Sequence, residues 1–224
     1  MVIRLANVSH DYGGRGLLTG VDLHIAPGAF NFLTGPSGAG KSTLLKLCYG
    51  DLQPKSGDIA LFGQNVESLS RDALADTRRR IGVIHQDCQF LDHLTLAENV
   101  ALPFLATGRP VPEADLNELL TWVGLEDRAD SLPPTLSGGE RQRAALARAV
   151  IMSPEVVLAD EPTGNVDWEM SQRLLSLLVE LNRMGTAVMI ATHDLNLIRT
   201  AKSVVTARNL RIADNTLQSA GSEL

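Results

Sequence analysis

An eight-residue stretch, GPSGAGKS at positions 35–42, contains the residue types best suited to binding a phosphate chain. An apolar run precedes it and a helix-forming run follows it, which is the context of a phosphate-binding loop. Glycines let backbone N–H groups turn toward phosphate oxygens, and the helix start adds partial positive charge. Lys41 would reach the β and γ phosphates, and Ser42 would bind Mg²⁺. The alternative is a glycine turn without a ligand. The predicted nucleotide-binding residues are Gly35, Pro36, Ser37, Gly38, Ala39, Gly40, Lys41, Ser42 and Thr43.

Two adjacent carboxylates end another apolar run, VVLADEP at positions 156–162. At the tip of a buried strand, Asp160 can hold the Mg²⁺ ion through a water molecule. Glu161 can act as general base toward the water that attacks the terminal phosphate. A carboxylate pair can also simply cap the next helix, but a phosphate-binding loop in the same chain favours the catalytic interpretation.

Three single residues stand where they could reach a bound nucleotide. Gln86 follows the run IGVIH, where an amide can contact both Mg²⁺ and the attacking water. His193 follows the run AVMIAT, where an imidazole can sense the γ phosphate. Taken alone, these two are more typical of ordinary surface chemistry. Tyr12 can stack on adenine or simply pack against its neighbours.

A second glycine-containing helix start lies much later in the chain, where residues 135–145 read TLSGGERQRAA. Small residues lead directly into a charged, helix-forming run, as they do where a helix N-terminus binds an anion. One nucleotide does not need two such helix starts from the same chain. The second stretch therefore requires an explanation of its own.

Composition limits the classes of protein to be considered. The chain has 224 residues, of which 44% are hydrophobic and only 4% aromatic, and this favours an aliphatic, helix-covered parallel sheet. A formal net charge of −6 disfavours a general attraction to nucleic acid. Cys48 and Cys88 lack CxxC spacing, so we expect free thiols in a reducing compartment. Without a signal-peptide pattern or an apolar run of about 18 residues, the sequence predicts a cytosolic protein with no membrane span.

The apolar pattern changes along the chain. Alternation at Ile3 and Leu5, and again from Val21 to Ile25, predicts an antiparallel β layer. Later runs are nearly continuous, as in strands that are buried on both faces, and predict a mainly parallel core sheet. These runs are FNFL, IGVIH, VVLAD and AVMIAT.

Leucine spacing predicts helices around residues 116–123 and 174–181, the second ended by Gly185. A leucine- and alanine-rich block, broken by prolines, separates the IGVIH strand from the SGG stretch and predicts an inserted helical subdomain. We therefore expect one α/β domain. Residues 1–86 and 154–213 would form the core and the β layer, residues 87–153 the helical subdomain, and residues 214–224 a flexible tail.

In their order, these motifs resemble those of the ATP-binding subunits of ABC transporters across almost the whole chain. The Walker A motif is GPSGAGKS, the signature is LSGGE at 136–140, the Walker B motif is VVLAD, and the D-loop is GNVD at 164–167. Gln86, His193 and Tyr12 match the Q-loop glutamine, the switch histidine and the adenine-stacking position. The resemblance implies the ABC ATPase fold of P-loop NTPases, and ATP hydrolysis with ATP and Mg²⁺.

The resemblance also implies a use for the second helix start. In this family two subunits pair head to tail, and each ATP lies between the Walker A motif of one and the signature of the other. A homodimer would thus form on ATP binding, with Asp167 near its interface. The signature residues that would contact the partner's nucleotide are Ser137, Gly138, Gly139 and Glu140.

In this family, closure of the dimer moves a membrane partner that is docked beside the Q-loop. The corresponding surface here runs from Gln86 to Val100 and contains Phe90, Leu91 and Leu94. Burial of these apolar side chains within the helical subdomain is the alternative.

The segments LTGPSGAGKSTLLKL, RRRIGVIHQD, ENVALP and LADEPTGNVD most resemble the ABC ATPases of bacterial cell division. That resemblance implies a peripheral protein on the cytoplasmic face of the inner membrane. Its ATP cycle would drive a four-span partner that controls cell-wall hydrolases, and would not transport a substrate. His85 and Arg141 depart from the residues usual in this branch, and neither takes part in the chemistry above.

Five other functions are alternatives to this one. The ATPase of a lipoprotein-release or macrolide-type exporter shares the EPTGN segment. An importer ATPase often has an extra C-terminal regulatory domain, for which this length is too short. Soluble ABC proteins of translation or DNA repair typically have two cassettes, zinc-binding cysteines or a coiled coil. A GTPase is disfavoured because no NKxD motif occurs, and a phosphate-release assay would separate an enzyme from a non-hydrolysing scaffold.

Overall fold

The computed structural model describes residues 1–14, 16–164 and 166–219. These residues form two sheets, and the strand order of each explains how the sequence motifs are brought together. The antiparallel sheet has the order β2-β1-β4-β5, and the larger sheet has the order β10-β9-β3-β8-β7-β6. The strands are β1 (Ile3–Asp11), β2 (Gly16–Ile25), β3 (Phe30–Thr34), β4 (Ser56–Leu61), β5 (Gln64–Asn65), β6 (Ile81–Ile84), β7 (Val156–Asp160), β8 (Ala187–Ala191), β9 (Ala207–Ala213) and β10 (Thr216–Ser219).

The larger sheet is parallel except at one edge. Strands β9, β3, β8, β7 and β6 run parallel, and β10 pairs with β9 in the antiparallel direction. Every residue of β3 and β8 is buried, as expected for continuous apolar strands covered on both faces. The predicted fold class, a mainly parallel core sheet with an N-terminal antiparallel layer, is confirmed.

Seven α-helices lie within the described residues. Three of them, α3 to α5, occupy residues 96–150 between strands β6 and β7 and bury an apolar core of their own. The helices are α1 (Lys41–Cys48), α2 (Arg71–Arg78), α3 (Leu96–Leu105), α4 (Glu113–Trp122), α5 (Gly138–Val150), α6 (Trp168–Arg183) and α7 (Leu195–Lys202).

Two apolar cores cover the two faces of the parallel sheet. One contains the β1–β2–β4 layer and α1, including Cys48, whose thiol pKa is raised to about 12 by complete burial. The other contains α6, α7 and part of α5. Because both faces are covered, the ends of the strands are where polar side chains can meet a ligand.

The predicted flexible tail at 214–224 is wrong for residues 216–219, which form β10. Asp214 and Asn215 both have positive φ, at 50° and 61°, and they make the tight turn that returns the chain onto β9. Leu217 pairs with Ile212 and packs against the core. An Asp-Asn pair between two alternating segments is a hairpin signal that composition alone does not reveal. The rest of that prediction, residues 220–224, lies outside the described residues.

No helix in the described part of the chain is long and apolar enough to cross a membrane.

Candidate nucleotide site

The predicted site residues come from adjacent strands of the parallel sheet. Strands β3, β8, β7 and β6 are neighbours in that order. The glycine-rich loop follows β3, His193 follows β8, Asp160 and Glu161 end β7, and Gln86 follows β6. Since these strands are parallel, all four segments leave the sheet at its carboxyl edge, where α/β proteins bind ligands.

The glycine-rich loop leaves the first backbone N–H groups of α1 uncapped. Gly40 precedes the helix with φ of 101°, and no side chain caps the helix or places an acid in its first turn. Gly35 has φ of 153°, and a Cβ atom there would lie 2.9 Å from the Ile212 carbonyl oxygen. The Lys41 ammonium donates to the carbonyls of Gly35 and Pro36, at 3.0 and 3.3 Å. These contacts fold the lysine back over the loop.

Glu161 lies at the centre of the charged groups. Its Oε1 atom is 2.9 Å from His193 Nδ1 and 3.8 Å from Lys41 Nζ. The residue is buried and has φ of 45°, a left-handed conformation that is unusual for a residue with a side chain. Its N–H donates to the Ala191 carbonyl at 2.9 Å, which fixes this backbone against β8. Such strain is typical of functional sites.

Asp160 is a half-buried carboxylate, one oxygen of which is buried and unused as an acceptor. Its Oδ1 atom has no hydrogen-bond partner within the described residues. Burial raises the pKa of this carboxyl, and a hydrogen bond with Ser42 only partly opposes the shift. A hydroxyl and a carboxylate that face each other provide the oxygen ligands that Mg²⁺ prefers, and an orphaned buried oxygen needs a cation or water. These two residues therefore fit a magnesium ion.

A cavity of about 360 Å³ opens beside Glu161 and His193, and it also includes Gly164 and Asn196. The His193 side chain is largely exposed to it, whereas the Glu161 side chain is only 11% exposed. The carboxylate is therefore accessible from one side only, a suitable position for a base that activates a single water molecule.

Tyr12 lies beside the start of α1. Its hydroxyl is 3.4 Å from Thr43 Oγ1, and its ring stands edge-on against His10 at a centroid distance of 5.0 Å. The residue is 61% exposed. An exposed ring held beside a phosphate-binding loop is available for stacking on a base.

Gln86 is exposed, and within the described residues no hydrogen bond or ion pair joins it to Glu161, Lys41 or Asp160. The loop it begins is instead held by α5. Arg141 donates to the Cys88 carbonyl at 3.4 Å, and Arg148 donates to the Gln89 carbonyl.

The same two guanidinium groups lie near the ring of Phe90, with Arg148 4.7 Å and Arg141 5.9 Å from its centroid. The sequence analysis missed this pair of positioning arginines. Their spacing of seven residues on one helix face was the available signal.

The surface from Gln86 to Val100 is partly exposed, as predicted for a docking surface, and partly buried in the helical subdomain, as the alternative predicts. Phe90 and Leu94 are half-buried and Leu91 is 45% exposed, whereas Val100 lies in the subdomain core. Asn99 fixes the segment, because its side chain accepts from the Leu91 N–H and donates to the Leu91, Leu94 and Thr95 carbonyls. The segment thus combines a buried anchor with an exposed apolar tip.

The second helix start is closed by its own side chains. The Ser137 hydroxyl accepts from the Glu140 N–H at 3.3 Å, and the Glu140 carboxylate accepts from the Ser137 N–H at 2.7 Å. Hydrogen bonds from Ser137 to the carboxylate, above all from its N–H, lower the pKa of Glu140, and Arg128 pairs with this carboxylate at 2.9 Å. In the described part of the chain, no hydrogen bond or ion pair joins this stretch to the glycine-rich loop.

Gly139 and Asp167 connect the second helix start with α6. A Cβ atom at Gly139 would lie 3.0 Å from Met170 Cε, so α5 and α6 approach closely there. Asp167 caps α6 by accepting from the Met170 N–H at 2.8 Å. The predicted D-loop spans residues 164–167, and its Asn165 lies outside the described residues.

Comparisons with known proteins identify the family of the chain. The ABC transporter family model matches residues 18–164. The cell division ATP-binding protein FtsE of Haemophilus influenzae is 44% identical over 202 residues, covering 88% of this chain and 93% of that protein. FtsE of Escherichia coli K12 is 46% identical over 200 residues, covering 88% and 90%.

A solved structure gives the same result for the fold. The dimeric post-hydrolysis state of the ATP-binding cassette MJ0796, bound to ADP and Pi, superposes with a TM-score of 0.86 at 32% identity. The superposition covers 97% of this chain and 98% of that one. The family, the fold and the grouping of these motifs at one sheet edge together show that the chain belongs to the ABC transporter family of ATP-binding, ATP-hydrolysing cassettes.

Proposed function

We propose that the chain is the ATPase subunit of a bacterial cell-division complex of the FtsE–FtsX type, in which two copies close on ATP and drive a membrane partner. The observation that carries the enzymatic part is the position of Glu161 between Lys41 and His193. A base, a phosphate-binding cation and an imidazole at one point support hydrolysis over passive binding. Similarity to FtsE proteins supports the choice of complex.

The phosphate chain is bound by the loop from Gly35 to Thr43. Uncapped N–H groups at the start of α1 point to the phosphate oxygens, and Lys41 exchanges its loop carbonyls for the β and γ phosphates. Ser42 and Asp160 would hold Mg²⁺, with Gln86 as a further ligand once its loop moves inward. Bound there, the ion neutralises phosphate charge. Tyr12 stacks on the adenine.

Hydrolysis uses the carboxylate of Glu161 as the base. A water molecule held between Glu161 and the γ phosphate attacks phosphorus, and its proton passes to Oε1. The bond to the bridging oxygen breaks, and ADP leaves with the electron pair. His193 donates a hydrogen bond to Glu161 or to the γ phosphate, and so reports whether that phosphate is present.

The signature residues act on a second copy of the chain. Ser137 caps α5, and Gly138, Gly139 and Glu140 form the first turn of that helix. In a head-to-tail homodimer they contact the partner's ATP, with Asp167 near the interface. The dimeric cassette MJ0796 supports this arrangement. Each ATP then joins two chains, and its hydrolysis releases them.

The membrane partner, an FtsX-like integral protein, docks on the surface from Gln86 to Val100. The exposed Leu91 and the half-buried Phe90 and Leu94 supply apolar contact area there. Arg141 and Arg148 tie this surface to the helix that begins with Ser137. Docking places the protein on the cytoplasmic face of the inner membrane, and its acidic charge gives no reason to expect a nucleic-acid partner.

The test purifies the Glu161→Gln variant from native membranes with ATP and Mg²⁺ and identifies the retained membrane protein by mass spectrometry. We expect an ATP-bound dimer without turnover, and a four-span partner with a periplasmic domain. Glu67→Gln, an exposed carboxylate just after β5 of the antiparallel sheet, is the matched control and should hydrolyse ATP normally.

Two outcomes would contradict the proposal at different points. A retained lipoprotein-release or export permease overturns the cell-division role and leaves the ATPase intact. Normal hydrolysis by Glu161→Gln removes Glu161 from the role of base.

A further inference from the structure

A second large cavity, of about 690 Å³, lies at the opposite edge of the parallel sheet from the nucleotide site. Its lining includes Pro27, Glu155 and Thr186, which stand just before strands β3, β7 and β8. These strands are parallel, so the cavity is at their amino ends. It is therefore separate from the glycine-rich loop, from Glu161 and from the proposed docking surface at Gln86–Val100.

The base of this groove is apolar and combines three helices. Trp122 and Leu119 come from α4, Ile151 from the end of α5, and Leu181 from the end of α6. Met184, at the end of α6, also lines the groove and is 72% exposed. An apolar lining with a large, exposed methionine is typical of a surface that receives another chain.

The rim of the groove is acidic. Helix α4 turns Asp115, Glu118, Leu119 and Trp122 toward it, positions three and four residues apart that share one helix face. Asp115 and Glu118 are exposed, and neither forms an ion pair with another described residue. Glu155 also lines the groove and pairs with Arg80 at 2.6 Å. Residues 113–130, which contain α4 and the turn after it, carry six carboxylates and a single arginine.

We propose that this groove binds a basic amphipathic peptide segment of a cytoplasmic protein. Apolar side chains of such a segment would cover Trp122 and Met184, and its lysines or arginines would meet Asp115 and Glu118. The acidic rim selects against anionic lipid and against nucleic acid, both of which would be repelled. Because the groove is at the far edge of the sheet from the nucleotide, occupancy is compatible with the ATP-bound dimer.

The first experiment measures binding of a fluorescein-labelled leucine–lysine amphipathic helix to the full chain by fluorescence anisotropy. A leucine–glutamate peptide of the same pattern is the opposite-charge probe. The double variant Asp115→Asn/Glu118→Gln should weaken binding of the lysine peptide about fivefold, as expected for two exposed charge pairs. The matched control, Glu126→Gln/Asp127→Asn, removes equal charge from the same subdomain outside the groove and should change binding less than about twofold.

Trp122 provides an independent readout of where the peptide lies. In a Trp168→Phe background it is the remaining tryptophan, since the chain has only two. We expect its emission to shift to shorter wavelength when the lysine peptide covers it. Equal weakening by both double variants, an unchanged Trp122 emission, or equal binding of the glutamate peptide would overturn the proposal.

A second experiment tests the occupant in cells, with a photo-crosslinking amino acid in place of Met184. A crosslinked peptide that maps to a lysine- or arginine-rich amphipathic segment of a cytoplasmic protein supports the proposal. Crosslinks to lipid, to a second copy of this chain, or to an acidic segment contradict it. These outcomes do not depend on the membrane partner, so they separate this proposal from the cell-division role.

Discussion

Two helices of this protein begin with glycine-containing sequences that look alike, but their N-termini are in opposite states. At α1, Gly40 gives no side-chain cap, and the first turn carries no acid. At α5, Ser137 and Glu140 cap each other's backbone N–H groups. The first helix start therefore keeps its donors free for an anionic ligand, whereas the second has satisfied part of its own.

The carboxylates near these two helix starts also differ: the one near α1 has an unsatisfied oxygen, and the one at α5 is hydrogen-bonded and paired. Asp160, beside Ser42, has an orphaned buried oxygen and a raised pKa because of burial. Glu140 has its pKa lowered by the hydrogen bonds with Ser137 and is paired with Arg128. The first region is arranged to receive a cation and a nucleotide, at some cost to the stability of the free protein. The second is stable as it stands, which suits a surface that meets a ligand already held by another chain.

Replacing Lys41, whose ammonium group lies at the uncapped start of α1, should have the largest effect on ATP binding. For Lys41→Met we expect ATP affinity to fall by about 100-fold, because a charge-assisted contact to phosphate is lost. Lys46→Met, on the same helix but in its last turn, is the matched control and should bind ATP almost as well as the unmodified chain. Isothermal titration with ATP and Mg²⁺ measures both. Equal losses in the two variants would mean that general charge, and not the loop, binds the phosphates.

Mixing two inactive variants tests whether the two helix starts belong to different copies. Chains with Lys41→Met and chains with Ser137→Arg should each be inactive. Half of the dimers in an equal mixture contain both chains, and each mixed dimer has one site with both halves intact. We therefore expect the mixture to recover about a quarter of the unmodified turnover, measured as phosphate release. A mixture as inactive as its components would show that both sequences serve the same nucleotide within one chain.

Much of the first region could be predicted from the sequence, because its chemistry is local. The order of strand, glycines, Lys41 and helix specifies the loop, and parallel strands must bring Asp160, Glu161 and His193 to one edge. The sequence similarly predicts that Ser137 begins a helix. The sequence also shows Ser and Glu three residues apart, which is a capping-box pattern. The closure of this helix start by Glu140 was nevertheless not predicted.

Features that depend on long-range contacts could not be predicted. From the sequence, Arg141 and Arg148 are ordinary charged residues of a helix. Only in the folded chain do both contact the Phe90 ring and the backbone carbonyls just before it. The acidic groove likewise combines residues from α4, α5 and α6 that are far apart in the chain. Strand β10 is a local feature and was missed for a different reason: its polar composition hides the hairpin that it forms with β9.

Tyr12 should make a smaller contribution to the open site. Tyr12→Ala removes a ring that can stack on the base, and we expect ATP to bind about fivefold more weakly. Tyr12→Phe keeps the ring and loses only the 3.4 Å contact with Thr43, so its affinity should stay close to that of the unmodified chain. Titration with ATP and with inorganic triphosphate separates the two effects, since triphosphate has no base. A matching loss with triphosphate would assign Tyr12 to the loop's structure.

The smallest effect should appear in the stability of the ligand-free protein, where the two carboxylates predict opposite signs. Asp160→Asn should raise the melting temperature at pH 7, because the folded state no longer buries a charge with an unsatisfied oxygen. Glu140→Gln should lower it, by about 1 kcal/mol or less, because a charged helix cap becomes neutral.

The dependence of these two effects on pH follows from the directions of the pKa shifts. Asp160 has a folded-state pKa above its unfolded value, so its penalty is full above the folded pKa and is lost as the pH falls through the unfolded pKa. Glu140 has a lowered pKa, so its stabilisation is present above the unfolded pKa and is lost as the pH falls through the folded one. Lowering the pH should therefore shrink both the gain from Asp160→Asn and the loss from Glu140→Gln. Thermal melts of both variants and the unmodified chain between neutral and acidic pH measure both changes. Changes of the same sign in both variants would contradict the contrast between an open helix start and a closed one.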